Sequence, residues 1–152
     1  MDLLIAAAAG FLVAVLWMDL MFDVLALSRR GPDPEMPEEA LATVAGYYAR
    51  VTTGAAPMGN LVGLVMFAMV LALLLQLWRG EPSRLVTAGS LALAAGPIVL
   101  ALTRVFPNAR RLGERRDSIA EQGRLARAIL RDHVLCFGFL LTLLALRWST
   151  TG

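Results

Sequence analysis

Long apolar runs alternate with short charged ones along this chain, and four of the runs are long enough to be membrane spans: residues 3–27, 58–78, 85–103 and 129–148. A hydrocarbon core of about 30 Å takes about 20 helical residues to cross, so the pattern predicts four spanning helices. The second run is the cleanest, with no charge between Asn60 and Trp78. The first and last each have a shorter strictly apolar stretch that runs into ionisable groups at one end. Polar side chains are therefore expected at or inside the hydrocarbon boundary, on those two helices above all.

The connections carry their own signals. After the first span, RRGPDPEMPEE reads as a proline-rich acidic loop, and Pro37-Glu38-Glu39 ahead of ALATVAGYYARV has the proline and acidic first turn of a helix start. A short interfacial helix is predicted there, broken by Gly54-Ala55-Ala56-Pro57 before the second span. The link from Arg79 to Arg84 forces spans two and three into an antiparallel hairpin. Past Thr103, RVFPNARRLGERRD reads as a polar turn, and Ser118-Ile119-Ala120-Glu121 matches a capping box. The helix it opens would run to Trp148, about 45 Å at the usual rise. The expected fold is an all-α integral membrane four-helix bundle, one domain over residues 1–152, with the interfacial helix between spans one and two.

Arginine placement gives an orientation. Eleven arginines flank the two long connections, among them Arg29, Arg30, Arg50 and the run from Arg104 to Arg131, against Arg79, Arg84 and Arg147 on the other side. The positive-inside rule then puts both long loops in the cytoplasm and both termini on the periplasmic or extracellular face. An N-terminus of Met-Asp with no basic stretch reads as a retained helix and not as a secretory leader. Two small-residue patterns, Gly59-x-x-x-Gly63 and Ala88/Ala92/Gly96, suggest close helix approach within the bundle, and Pro97 should kink the third span, its freed carbonyl satisfied by a neighbouring helix or by a hydroxyl such as that of Thr103.

Composition agrees with the membrane reading. The chain is 58% hydrophobic with a mean hydropathy of +0.66, above the range of soluble domains. All fourteen basic residues are arginine, which fits a GC-rich bacterial genome; with the four spans, the expected location is the bacterial inner membrane. No recognition-helix or aromatic pattern accompanies the arginines, so nucleic acid is not an expected partner. The single cysteine, Cys136, lies in an apolar run and forms no intramolecular disulfide.

Candidate chemistry concentrates at one end. Asp19 and Asp23 are four residues apart, on one face of the first helix. Counting from Arg29, they lie about 15 Å and 9 Å deep. A lone carboxylate at a helix centre costs about 2.5–3.5 kcal/mol on the insertion scale, so it is expected to face the bundle interior and to have a partner. The candidates on that side are Tyr47, Tyr48, Asn60, Arg104, Asn108, Arg131 and His133. Two arrangements satisfy the pattern: a cytoplasm-facing pocket with Asp19 or His133 as acid, base or ligand group, or an Asp-to-Arg pairing that locks helices one and four together. One histidine cannot build a two-histidine metal site or a bis-histidine haem site, and no nucleophilic triad, phosphate loop or dinucleotide fingerprint is present, so no metal and no cofactor is expected.

The order of features resembles the anthrone-oxygenase-like family of small four-helix bacterial membrane proteins: a first span, a tyrosine-bearing segment ending in TTGAAPMGNL, a hairpin, and a third span running into LTRVFPNARRLG. The resemblance makes Pro107, Asn108 and Leu112 motif positions. The approach to the last helix departs from the family pattern, with Gln122, Arg124, Arg127 and Arg131-Asp132-His133 in place of tryptophans and an Asn-x-x-Arg. Three functions remain open. The first is a bundle that binds a hydrophobic small molecule or docks, as a homo-oligomer or accessory subunit, in a larger membrane complex. The second is a cofactor-independent oxygenase-like enzyme acting on a phenol, with Asp19 or His133 as base. The third is a proton-coupled carrier using Asp19 and Asp23.

Overall fold

The computed structural model describes residues 1–28, 35–54, 56–80 and 83–149. The proline-rich stretch 29–34, with Arg29 and Arg30, lies outside the described residues. Within them the chain is helical, with no strand: α1 (Asp2–Asp23), α2 (Glu38–Ala49), α3 (Ala56–Arg79), α4 (Arg84–Leu100), α5 (Phe106–Glu114) and α6 (Ile119–Trp148). A 3₁₀ turn, Val24–Leu27, extends α1, and two π-helical turns, Arg50–Gly54 and Ala101–Val105, follow α2 and α4. Four helical stretches are long and apolar enough to cross a membrane: Asp2–Leu27, Met58–Arg79, Arg84–Glu114 and Ile119–Trp148.

These four form a ring in which α1 packs on α6 and α3, and α4 packs on α6 and α3. Its core is built from small and branched apolar residues, with Ile5, Ala9, Leu73 and Leu143 fully or almost fully buried. Large apolar side chains point away from the ring: Leu3 is 84% exposed, Phe67 65% and Leu102 71%.

A second storey caps one end. The residues around Pro37 and Glu38 do start a helix, and α2 buries Leu41, Val44, Ala45 and Tyr48 against α5 and α6. The polar turn expected after Thr103 is mostly helical instead. The chain passes from α4 through the π turn Ala101–Val105 directly into α5. Pro107 explains the wide turn. A proline ring collides with the carbonyl four residues back, here that of Thr103, and a π turn opens the helix at that point. At the end of α5, Arg115 takes a left-handed conformation with φ 51 and reverses the chain. Ser118 then caps α6 by accepting from the Glu121 backbone N–H at 3.3 Å. Only this half of the capping box forms, because the Glu121 carboxylate turns to Arg124.

Three packing expectations are corrected. Gly59 is exposed, as is Gly63, and a Cβ built on either meets nothing within 4 Å, so this pair packs against no helix among the described residues. On α4 the buried positions are Thr87, Ser90, Ala94 and Pro97, whereas Ala88 and Ala92 face outward; of the expected trio only Gly96 approaches a neighbouring helix closely, a Cβ there lying 3.1 Å from the Phe139 ring of α6. The Thr103 hydroxyl donates to the carbonyl of Val99 at 2.6 Å, not to the one that Pro97 frees. The closest backbone approach involves Gly113, which the sequence did not single out. A Cβ there would lie 2.8 Å from the backbone nitrogen of Ala49, so only glycine lets α5 rest against the end of α2 at this separation.

At the opposite end of the ring, Arg147 donates to Gln76 Oε1 at 2.9 Å and to Asp2, joining α6, α3 and α1. The Gln76 amide also donates to Asp2 at 2.8 Å.

Candidate functional site

The site begins with spacing. Asp19 and Asp23 stand one turn apart on α1, while Tyr47 and Tyr48 are consecutive on α2 and so project about 100° apart. That difference lets two adjacent tyrosines serve two carboxylates a turn apart. Tyr47 donates its hydroxyl to Asp19 Oδ1, and Tyr48 donates to Asp23 Oδ1 at 2.5 Å. The Phe22 ring stacks on Tyr47 with centroids 4.2 Å apart, holding that phenol in place. Burial, followed by the neighbouring carboxylates, pushes the pKa of both tyrosines well above 10.0, the ordinary value. Both remain proton donors at any physiological pH.

Asp23 is fully buried and accepts a second bond, from His133 Nδ1 to Oδ2 at 2.6 Å. The carboxylate thus receives one donor from α2 and one from α6. Nδ1 faces Asp23, so Nε2 is the ring nitrogen left for other partners. His133 and Asp19 both line a cavity of about 130 Å³ inside the ring, whose other walls come from apolar or weakly polar residues of α1, α3, α4, the π turn after α4 and α6, among them Leu16, Met66, Pro97, Ala101 and Cys136. The cavity is an apolar chamber with a carboxyl group and an imidazole in its wall.

A second polar group lies on the other side of α6. Arg104, in the π turn, places Nε 3.0 Å from Asp132 Oδ2, and Arg131 approaches Oδ1 at 3.3 Å. Asp132 is fully buried, while the two arginine side chains are 44% and 60% exposed. The contact with Oδ2 is one of charge alone, because that oxygen receives no hydrogen bond. Arg104, Asn108 and Arg131 line an open cleft of about 490 Å³ between α5 and α6, together with Arg111, Arg124 and Arg127.

The nine candidates therefore do not share one pocket. Asp19 and His133 line the chamber, and Asp23, Tyr47 and Tyr48 brace them. Arg104, Asn108 and Arg131 belong to the cleft. Asn60 is exposed on α3 and lines neither. The expected lock of Asp19 or Asp23 to an arginine of the last span does not form among the described residues: Asp19 and Asp23 pair with tyrosine and histidine, and at this end of the ring Asp132 of α6 pairs with Arg104 of the π turn after α4. Asp132 was passed over as a site residue, although a carboxylate one position before His133 on an apolar helix is a signal of the same kind as Asp19. Among the described residues, no group of three or more His, Cys, Asp or Glu side chains is placed to hold a metal ion. No family model, curated protein or solved structure matches the chain.

Proposed function

We propose that this chain is a multi-pass inner-membrane protein that binds a small hydrophobic molecule, bearing one hydrogen-bonding group, in the chamber lined by Asp19 and His133. The observation that carries this reading is the contrast within that wall. Two ionisable groups, one held by Tyr47 and the other by Asp23, face a space that is otherwise apolar, the usual composition of a small-molecule site. The membrane part rests on the four long apolar helices and their outward-facing large side chains, since so large an exposed apolar surface is at home only in lipid or against a partner. With the arginine-rich end cytoplasmic, α2 lies at the inner interface and both termini lie outside. Alkaline phosphatase fused after Gly80 is then active, and fused after Arg116 inactive; the reverse result overturns the orientation.

Cavity size limits the ligand. An engineered cavity of about 150 Å³ accommodates benzene, so about 130 Å³ suits a single ring. p-Cresol should raise the melting midpoint of the protein purified in dodecyl maltoside. It should do so much less for Ala101→Leu, which fills the chamber. Equal shifts in both proteins would remove the chamber as the site.

The His133–Asp23 pair favours a second reading, in which the protein is an enzyme. A carboxylate that fixes one ring nitrogen and leaves the other facing a cavity is the arrangement of a general base. His133 Nε2 would take the proton of a bound phenol and Asp23 would stabilise the imidazolium. The resemblance to the anthrone-oxygenase-like family supports phenol chemistry of this class on a one-ring substrate. A His133→Gln variant that still binds p-cresol but turns over no phenol fits the enzyme; binding without turnover in the wild type as well leaves the binding protein.

A further inference from the structure

The cleft between α5 and α6 is separate from the chamber and has a different chemistry. Five arginines, Arg104, Arg111, Arg124, Arg127 and Arg131, and the amide of Asn108 line it. The carboxylates that meet these arginines are three: Asp132, which takes Arg104 and Arg131, and Asp117 and Glu121, which take Arg111 and Arg124. Arg127 forms no ion pair among the described residues; its guanidinium lies over Gly123, 3.5 Å from where a Cβ would be. The cleft therefore holds more positive than negative charge. All five arginines are exposed, their side chains ranging from 44% for Arg104 to 70% for Arg124 among those in ion pairs, so water and an incoming anion can reach them. Planar arginine forks and an amide donor match the oxygens of a phosphate group.

A second feature indicates where that phosphate comes from. On α6, Arg127, Leu130, Arg131 and Val134 stand at positions i, i+3, i+4 and i+7, so they form a continuous strip. Leu130 and Val134 border an apolar surface groove of about 450 Å³, completed by Trp17, Leu20, Met21 and neighbours on α1. The basic cleft and the apolar groove thus meet along one edge of α6. We infer that the cleft is a phosphate site occupied by the head group of an anionic phospholipid, with an acyl chain lying along the groove. The inference draws on the membrane reading but not on the chamber. Loss of p-cresol binding leaves it untouched, and the fusion assay tests the membrane reading by itself.

The test uses the full chain in dodecyl maltoside, titrated with mixed micelles of phosphatidylglycerol, with phosphatidylcholine micelles, and with inorganic phosphate, and read by native mass spectrometry. Phosphatidylglycerol should bind the wild type. Each arginine at a lipid surface contributes about 1 kcal/mol, or about fivefold, so Arg127→Gln should weaken binding about fivefold. Arg84→Gln, which removes the same charge at the other end of the ring, should leave it unchanged. Val134→Asp, in the groove, should also weaken the lipid without affecting inorganic phosphate. Equal binding of phosphatidylcholine, or equal losses in Arg127→Gln and Arg84→Gln, overturns the phosphate site. Binding of inorganic phosphate as tight as that of phosphatidylglycerol overturns the lipid as its occupant.

Discussion

Gly113→Ala puts the junction of the two storeys to the test. A methyl group there would lie 2.8 Å from the Ala49 backbone nitrogen, 2.9 Å from its Cα and 3.2 Å from the Tyr48 carbonyl carbon. All three neighbours are backbone atoms, so no side chain can swing aside, and α5 and α2 must separate by roughly half an ångström or more to restore van der Waals contact. Two effects compete. Alanine in a helix is favoured over glycine by about 0.5–1 kcal/mol, while overpacking a well-filled contact costs about 1–3 kcal/mol. The clash is against backbone, so the penalty should fall in the upper part of that range and the variant should be destabilised by about 1–2 kcal/mol. The assay is unfolding of the purified protein in mixed dodecyl maltoside and sodium dodecyl sulfate micelles, followed by circular dichroism. Gly46→Ala is the control, because it lies on α2 and its Cβ would meet nothing within 4 Å; it should gain stability. Tyr48 sits at the contact point, so Gly113→Ala should also weaken p-cresol binding. A Gly113→Ala protein that is as stable as Gly46→Ala would refute the close approach, and with it the path by which α5 positions Tyr48.

Three further outcomes follow from the polar groups. Tyr48→Phe takes one donor from the fully buried Asp23 and should cost about 1–3 kcal/mol in the same unfolding assay; no loss would mean that Asp23 is served by other donors. Both tyrosines bind their protons more tightly folded than unfolded, so the stability they contribute is complete below pH 10.0 and drains away as pH rises beyond it. The melting midpoint should accordingly fall above that pH, less steeply in the Tyr47→Phe/Tyr48→Phe double variant, and parallel curves would contradict the assignment. Asp132 and its arginines should be asymmetric. Asp132→Asn leaves two half-exposed arginines that water can reach, at a cost of about 1–2 kcal/mol. The Arg104→Gln/Arg131→Gln pair strands a buried carboxylate, at about 3–5 kcal/mol. Equal costs would show that Asp132 is solvated.

Most of the helices are legible in the sequence because lipid-length apolar runs and caps are local signals. The start near Glu38 and the Ser118 cap depend only on nearby residues. The stretch after Thr103 resembles a turn because of its charges and Pro107, whereas a π turn accommodates the proline ring and Arg104 and Arg111 face the cleft. Which face of a helix is buried was harder to read. Small residues at Gly59 and Gly63 look like an interface, yet the packed side of the bundle is set by what the neighbours present, which the sequence of one helix does not contain. Gly113 escaped notice for the same reason: its role depends on the backbone of Ala49, more than sixty positions away.

The nine candidate residues looked like one cluster because they fall at one end of the ring. Helical geometry divides them. Arg131, Asp132 and His133 are consecutive, so their side chains leave α6 about 100° apart. Arg131 reaches the cleft beside α5, Asp132 meets the π turn at Arg104, and His133 turns inward to Asp23 on α1. Only a run of mixed charge on the last helix can supply three neighbours at once, and this explains why an otherwise apolar helix tolerates it. The π turn Ala101–Val105 completes the division, because Ala101 and Val105 wall the chamber while Arg104 faces the cleft. One short segment therefore contributes to both the chamber and the cleft.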